Sequence, residues 1–456
     1  MESASLNRHQ FALQGLSSNG KYSLDKTASA LHQLKVGIWM YFILLIFEGG
    51  LRKWVLPGLS TPLLLVRDPI ALWLVIKAWT MGVLKPNSYL TITVVVIVAG
   101  IFTAMIFGHG NLLVALYGAR IFLIHFPLVF IVGRVFTHED VVKMGKAAIW
   151  ISIPMTVLVA LQFYSPQSAW VNRGVGGDME GAGFNGGALG YYRPPGTFSF
   201  TNGNVLFYSF ITPFLFYFWV TPKSINRILL LTATVCLFAA IPLSISRSLF
   251  FQAVISLFFL AVGTARKPKF MGKLIGAVIV GVIAFIILSQ ATFFKTILEV
   301  FSVRYEGANE SEGGLQGVFL GRYLGSVIDV IKPTLPFFGY GLGLGTSVGA
   351  TILNGKSGLG ISEDEWGRLF GELGLFMGGT IIFVRLKLYV KLLSAAYKRL
   401  AGGDLLAWML ASFAMPNTPL GQWAQPAGLG FGVLITALML ASLRNAKQVG
   451  QNKLLA

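Results

Sequence analysis

Long apolar runs, separated by short polar or charged stretches, recur along nearly the whole chain. A membrane-crossing helix needs about 20 mostly apolar residues, because each residue rises ~1.5 Å across a hydrocarbon layer of ~30 Å. By that criterion the pattern predicts twelve spans, at 33–49, 62–79, 89–107, 112–133, 147–165, 199–220, 228–246, 248–265, 274–291, 372–390, 404–416 and 427–443. Two connections on one side are long, 166–198 and 292–371, while those on the other side are compact. Residues 1–35 read as a polar N-terminal tail rather than a cleavable signal, 36–443 as one transmembrane domain, and 444–456 as a C-terminal tail. The expected fold is an all-α polytopic membrane protein of about twelve transmembrane helices.

Composition sharpens that reading. Of 456 residues, 55% are hydrophobic and 12% charged, against roughly 25% charged in a soluble domain, so a soluble globular protein is excluded. With a cytoplasmic N-terminus, the inside segments, Arg385 among them, carry 23 of the 36 basic residues and 5 of the 18 acidic ones, a balance equal to the whole net charge of +18. This positive-inside pattern accounts for a pI near 9.9 without any nucleic-acid partner. The single cysteine, Cys236, excludes disulfides, Cys-ligated zinc and redox pairs. Long loops on one face of a bundle are where function concentrates, so the working surface is expected to face away from the cytoplasm. The chain has no G-x-x-x-x-G-K-[ST] phosphate loop of an ATP-driven machine.

Ionisable residues at membrane depth cost roughly 2.5 to 3.5 kcal/mol each at mid-helix on insertion scales and mark functional candidates. Arg67-Asp68 opens the second span, and reads either as a site or as an ion pair for helix packing with Arg52 or Lys53. Arg120 and His125 share the fourth span, where His125 reads as a satisfied interior histidine and Arg120 suits a phosphate. Arg247 stands between two serines at a turn. Glu365, Arg368 and Glu372, spaced i, i+3 and i+7, share a helical face and can form an ion-pair ladder. Glu363 has no partner on its face, and either serves as a base with a raised pKa or, with Asp364, stabilises a helix N-terminus. Arg173, Arg193, Arg247, Arg304, Arg322 and Arg368 form an outward-facing set accompanied by aromatic residues, which suits a substrate that is part phosphate and part sugar.

Three stretches resemble the O-antigen ligase and O-antigen polymerase superfamily of membrane glycosyltransferases. They are Ser246-Arg247-Ser248, the Gly-rich run Gly339-Tyr340-Gly341-Leu342-Gly343, and Glu372-Leu373-Gly374-Leu375-Phe376-Met377-Gly378, which matches E-x-G-L-x-x-G. The family's His-Asn pair, nine residues before that glutamate, is Glu363-Asp364 in this chain. The R-x(10)-G pattern of some polymerases is not evident from Arg173 or Arg304.

The resemblance implies a glycosyltransferase C-like bundle in the bacterial inner membrane, with both termini cytoplasmic and the active site periplasmic. The implied activity is an inverting transfer of undecaprenyl-diphosphate-linked glycan to a sugar hydroxyl, as an exopolysaccharide or O-antigen polymerase, or as a ligase acting on lipid A core or another acceptor. Neither metal nor other cofactor is implied, and a chain-length regulator and a flippase are the implied protein partners. The implied roles are Glu363 as base, Arg247 and Arg368 near the diphosphate, Arg193, Arg322 and Arg120 as further phosphate contacts, and Asp364, Glu365 and Glu372 in support. A flippase or solute transporter is the reading of another class, and it predicts internal repeats or broken helices.

Overall fold

Apolar length and polar caps between them set the helices. The computed structural model describes residues 28–178, 185–221, 224–265, 292–312, 335–354, 361–362 and 364–444, with positions 272 and 290. In chain order these residues form α1 (Ala28–Val55), α2 (Asp68–Thr80), α3 (Ser88–Ile106), α4 (Leu112–Val135) and α5 (His138–Tyr164). A hairpin, β1 (Asn185–Ala188) with β2 (Tyr191–Arg193), precedes α6 (Thr201–Val220), α7 (Arg227–Leu243) and α8 (Arg247–Thr264). Then follow α9 (Thr292–Glu312), α10 (Ser347–Asn354), α11 (Glu365–Ala401), α12 (Leu406–Asn417) and α13 (Pro426–Ser442). Asn87, Asn111 and Asn226 accept backbone N–H bonds at the starts of α3, α4 and α7, and Thr137 with Asp140 forms a capping box on α5.

Seven of these helices are long and apolar enough to cross a membrane: α1, α3, α4, α5, α6, α8 and α11. The chain is mostly helical, consistent with an all-α polytopic membrane protein. The apolar helices α7 and α13 have 17 residues each, and α12 has 12. The predicted ninth span lies, apart from position 290, outside the described residues, as do residues 1–27 and 445–456. The predicted second span is not one helix. Pro57 and Pro62 each open a 3-10 turn and Pro69 starts α2, whose 13 residues rise only ~20 Å.

The centre of the bundle is α6, α12, α13 and the second half of α4, which pack on one another. Of the seven long helices α6 is the most enclosed, 78% of its apolar window being buried, and α3 the least, at 28%. Lipid is as apolar as leucine, so close packing and interhelical hydrogen bonds hold such helices together. Ser256 meets Ser412 at 2.9 Å and Gln252 donates to the Ser412 carbonyl at 3.2 Å, joining α8 to α12.

The long helix α11 is broken. Gly374 has φ 73° and ψ 175°, a conformation open essentially to glycine alone. The chain turns back there, so that Glu365 bonds Arg385, a residue that an unbroken helix would place ~30 Å away. The break frees the carbonyls of Gly371 and Glu372, which accept the N–H groups of Tyr340 (2.7 Å) and Gly341 (3.1 Å). The Gly-rich run thus supplies the donors that water cannot supply at membrane depth. Its other side lies against α4, where a Cβ on Gly343 would overlap the Val114 carbonyl.

Alanine at Gly374 would be forced into the same conformation and into the Phe337 carbonyl, whereas at Gly379 it would meet only Phe370 at 3.6 Å. Gly374→Ala is therefore expected to lose at least about 1–3 kcal/mol, read as a lower unfolding temperature in detergent, while Gly379→Ala matches the parent protein. Equal unfolding temperatures for both would contradict this account of the break.

Candidate functional site

The break in α11 is held by four charged side chains, each at most 3% exposed. Arg368 donates from Nε and Nη2 to the two oxygens of Glu365, at 3.1 and 2.9 Å, and from Nη1 to Glu372 at 2.7 Å. Arg385 reaches the same Glu365 at 2.6 Å and also donates to the carbonyls of Thr418 and Gly421, both at 2.8 Å. The remaining acceptor capacity is used as well. Glu365 takes the Trp423 N–H at 3.1 Å, and Glu372 takes the Gly345 N–H at 2.8 Å. This cluster therefore ties the two arms of α11, the Gly-rich run and the loop between α12 and α13 to one point. By helical rise Arg385 of this cluster lies about 24 Å from the Ala401 end of α11.

A second network joins α1, α2 and α4. Arg67 donates to Glu48 at 2.9 Å and to the Pro426 carbonyl at 2.8 Å. Asp68, beside it, takes two bonds from Arg120 Nη1, at 2.8 and 2.7 Å, and one from His125 Nε2 at 2.9 Å, so that His125 Nδ1 accepts from Tyr41 at 3.0 Å. In a regular helix residues 120 and 125 would diverge by about 140°. The π-helical segment Ile121–His125, which Pro127 follows, brings the fifth residue back over the first, and both side chains meet Asp68. Arg67 and Asp68 do not pair with each other. Arg52 lies 4.0 Å from Glu48 and donates to the Ser60 carbonyl and to Ser199, while Lys53 donates to the Gly196 carbonyl.

The third group lies at the hairpin. Tyr191 stacks on Phe163 of α5 with ring centres 4.7 Å apart, Gly187 sits over Ile245 in the α7–α8 turn, and α9 packs against β1. Ile245 has φ 48°, a strained value for a β-branched residue. Arg247 opens α8 two residues later and is half-buried, held by contacts of its own. Arg193, on β2, is half-buried with its Nε lacking a hydrogen-bond partner. Burial and the nearby Arg304 guanidinium of α9 bring Arg193 down to about 10, so it remains a cation at neutral pH. Arg193 has no carboxylate partner among the described residues.

The structure thus sorts the residues singled out above. Glu365, Arg368 and Glu372 form the expected ladder, with Asp364 at the N-terminal boundary of α11. Arg120 is engaged by Asp68, and Arg193 and Arg247 flank the hairpin. Glu363 and Arg322 lie outside the described residues. Two residues escaped sequence reasoning. Glu48 was one acidic residue inside an apolar run. Arg385 reads from sequence as one of the charges following a span, but the reversal at Gly374 brings it to Glu365. Comparison with protein-family models, with curated proteins and with solved structures returns no match for this chain.

Removing the charge of Glu365 leaves two buried arginines short of a counter-ion. Glu365→Gln is expected to cost about 3–5 kcal/mol, measured by thermal unfolding of the purified protein, with exposed Glu306→Gln on α9 unchanged. A Glu365→Gln protein as stable as its parent would remove this cluster from its structural role.

Proposed function

We propose that the protein is a metal-independent membrane glycosyltransferase that transfers or polymerises undecaprenyl-diphosphate-linked oligosaccharide on the outer face of the bacterial inner membrane. The observation that carries the reading is the proximity of Arg304 on α9 to half-buried Arg193 at the hairpin beside the Ser246-Arg247-Ser248 turn, with no carboxylate paired to Arg193 among the described residues. Two cations held together in this way favour a multiply charged anion, and a departing diphosphate develops such charge in the transition state. In this reading Arg193 and Arg304 grip the diphosphate, with Arg247 and Arg322 alongside. Glu363, one residue before Asp364, removes the proton of the acceptor hydroxyl as that oxygen attacks the anomeric carbon. Arg368 acts as a positioning residue, because its guanidinium is sheathed by Glu365 and Glu372. Arg120 likewise serves packing through Asp68.

A span count of twelve, a glycosyltransferase C-like bundle, cytoplasmic termini and a periplasmic site belong to the same proposal, as do a glycan acceptor, a chain-length regulator and a flippase as partners. Polymerase is preferred to ligase on the Glu363-Asp364 departure from His-Asn. One observation favours a transporter instead, the broken helix at Gly374. There the carbonyls of Gly371 and Glu372 are already bonded by Tyr340 and Gly341, which leaves them less free to hold an ion.

The test is glycan output and the lipid-linked pool in cells carrying Arg193→Ala, Arg304→Ala or Glu363→Gln, with Lys447→Ala as comparison. Transfer is expected to fall roughly 10²–10³-fold in the first three at normal protein levels, with lipid-linked units accumulating outside. Units trapped on the cytoplasmic side would replace this reading with the flippase, and undiminished polymer would remove the residue concerned from the site.

A further inference from the structure

A narrow cleft opens between the end of α1, the start of α6 and the start of α13. Its walls include Glu48, Arg67, Ser199, Phe200, Asn202 and Gln425, and it holds about 40 Å³ of free space, enough for one or two hydroxyl-sized groups. One buried donor of these charges is unsatisfied, and one carboxylate oxygen beside it is open. Arg67 is 3% exposed, and its Nη1 has no hydrogen-bond partner. Glu48 is 5% exposed, and while Oε2 accepts from Arg67, Oε1 is 4.0 Å from Arg52 and accepts no hydrogen bond among the described residues. Asn202 Nδ2 donates to Gln425 Oε1 at 3.1 Å, which leaves the Asn202 oxygen and the Gln425 amide protons for another partner. At the rim Phe200 is 49% exposed, a flat apolar face beside the polar opening.

A buried donor left unmade costs about 1–3 kcal/mol, so a ligand that accepts from Arg67 and at the same time donates to the open Glu48 Oε1 is favoured. A hydroxyl does this, since it donates one proton and accepts at its lone pairs. An anion would meet the Glu48 carboxylate, and a cation would meet Arg52 and Arg67. Several hydroxyls on a ring with an apolar face describe a sugar. We infer that this cleft is a sugar subsite that takes a hydroxyl edge between Glu48 and Arg67 and rests the ring on Phe200. Its assignment to the acceptor glycan rests on the transferase reading given above. The subsite and the ion cluster of α11 share one loop, since Trp423 bonds Glu365 and Pro426 bonds Arg67.

The experiment is saturation-transfer difference NMR on the full chain in nanodiscs, with glucose, galactose, mannose and N-acetylglucosamine as probes. Saturation is expected to reach ring protons of at least one sugar, with affinity falling roughly tenfold in Asn202→Ala, Gln425→Ala and Glu48→Gln, the scale of one hydrogen bond to a charged group. Asn202→Ala and Gln425→Ala remove no charge, so they keep the test readable if Glu48→Gln unfolds. Absence of transfer to all four sugars, or equal transfer in parent and variants, would overturn the subsite and leave water in the cleft. Sugar binding lost in Gln425→Ala together with intact polymer in Arg193→Ala would sink the transferase and keep the cleft. The reverse pattern would sink the cleft alone.

Discussion

Two arginines and two glutamates, almost wholly buried, hold a point in this protein where the backbone is not helical. In a hydrocarbon layer every backbone donor and acceptor must be satisfied internally, so a break in a spanning helix survives only with outside partners. At Gly374 the Gly-rich run provides them, and it can approach because Gly343 and Gly118 leave their backbones in contact. Arg368, Arg385, Glu365 and Glu372 then fix both partners of that contact by side chain. An apolar replacement of such a buried cluster is often no less stable. What the ions add at this place is direction: besides pairing with one another they bond the Gly345 N–H of the Gly-rich run and backbone groups of Thr418, Gly421 and Trp423.

The same logic joins the two halves of the chain. The loop between α12 and α13 is bonded at Trp423 to the α11 cluster and at Pro426 to Arg67, whose other partner is Glu48 of α1. This loop thus lies at the level of both charge networks. A shift in either network is transmitted to the other through three residues of backbone. That coupling is a property of connectivity, and a double-mutant cycle between Glu365 and Arg67 would measure it directly.

The helices were legible in the sequence where apolar length alone decides, as in α3, α4, α5, α6 and α8. The second span misled because hydropathy does not see that Pro62 and Pro69 each remove an N–H and divide the segment. The ladder of Glu365, Arg368 and Glu372 was legible because helical spacing is local. Arg385 was not, since its place depends on one left-handed glycine eleven residues earlier, and the motif containing Gly374 reads as a continuous helix. The meeting of Arg120 and His125 on Asp68 was hidden for a similar reason. Regular periodicity puts them on different faces, and only the π-helical register before Pro127 aligns them.

An arginine's chemical use depends on what already neutralises it. Sequence type places Arg67, Arg120, Arg193, Arg304, Arg368 and Arg385 in one class, as rare guanidiniums near a bilayer. The structure divides them. Arg67, Arg120, Arg368 and Arg385 each hold a carboxylate within 2.9 Å, and their net charge toward an incoming anion is largely cancelled. Arg193 and Arg304 instead repel each other, and burial of Arg193 adds to the cost. The scaffold thus places its carboxylates on the arginines that organise backbone, whereas Arg193 is paired with none among the described residues.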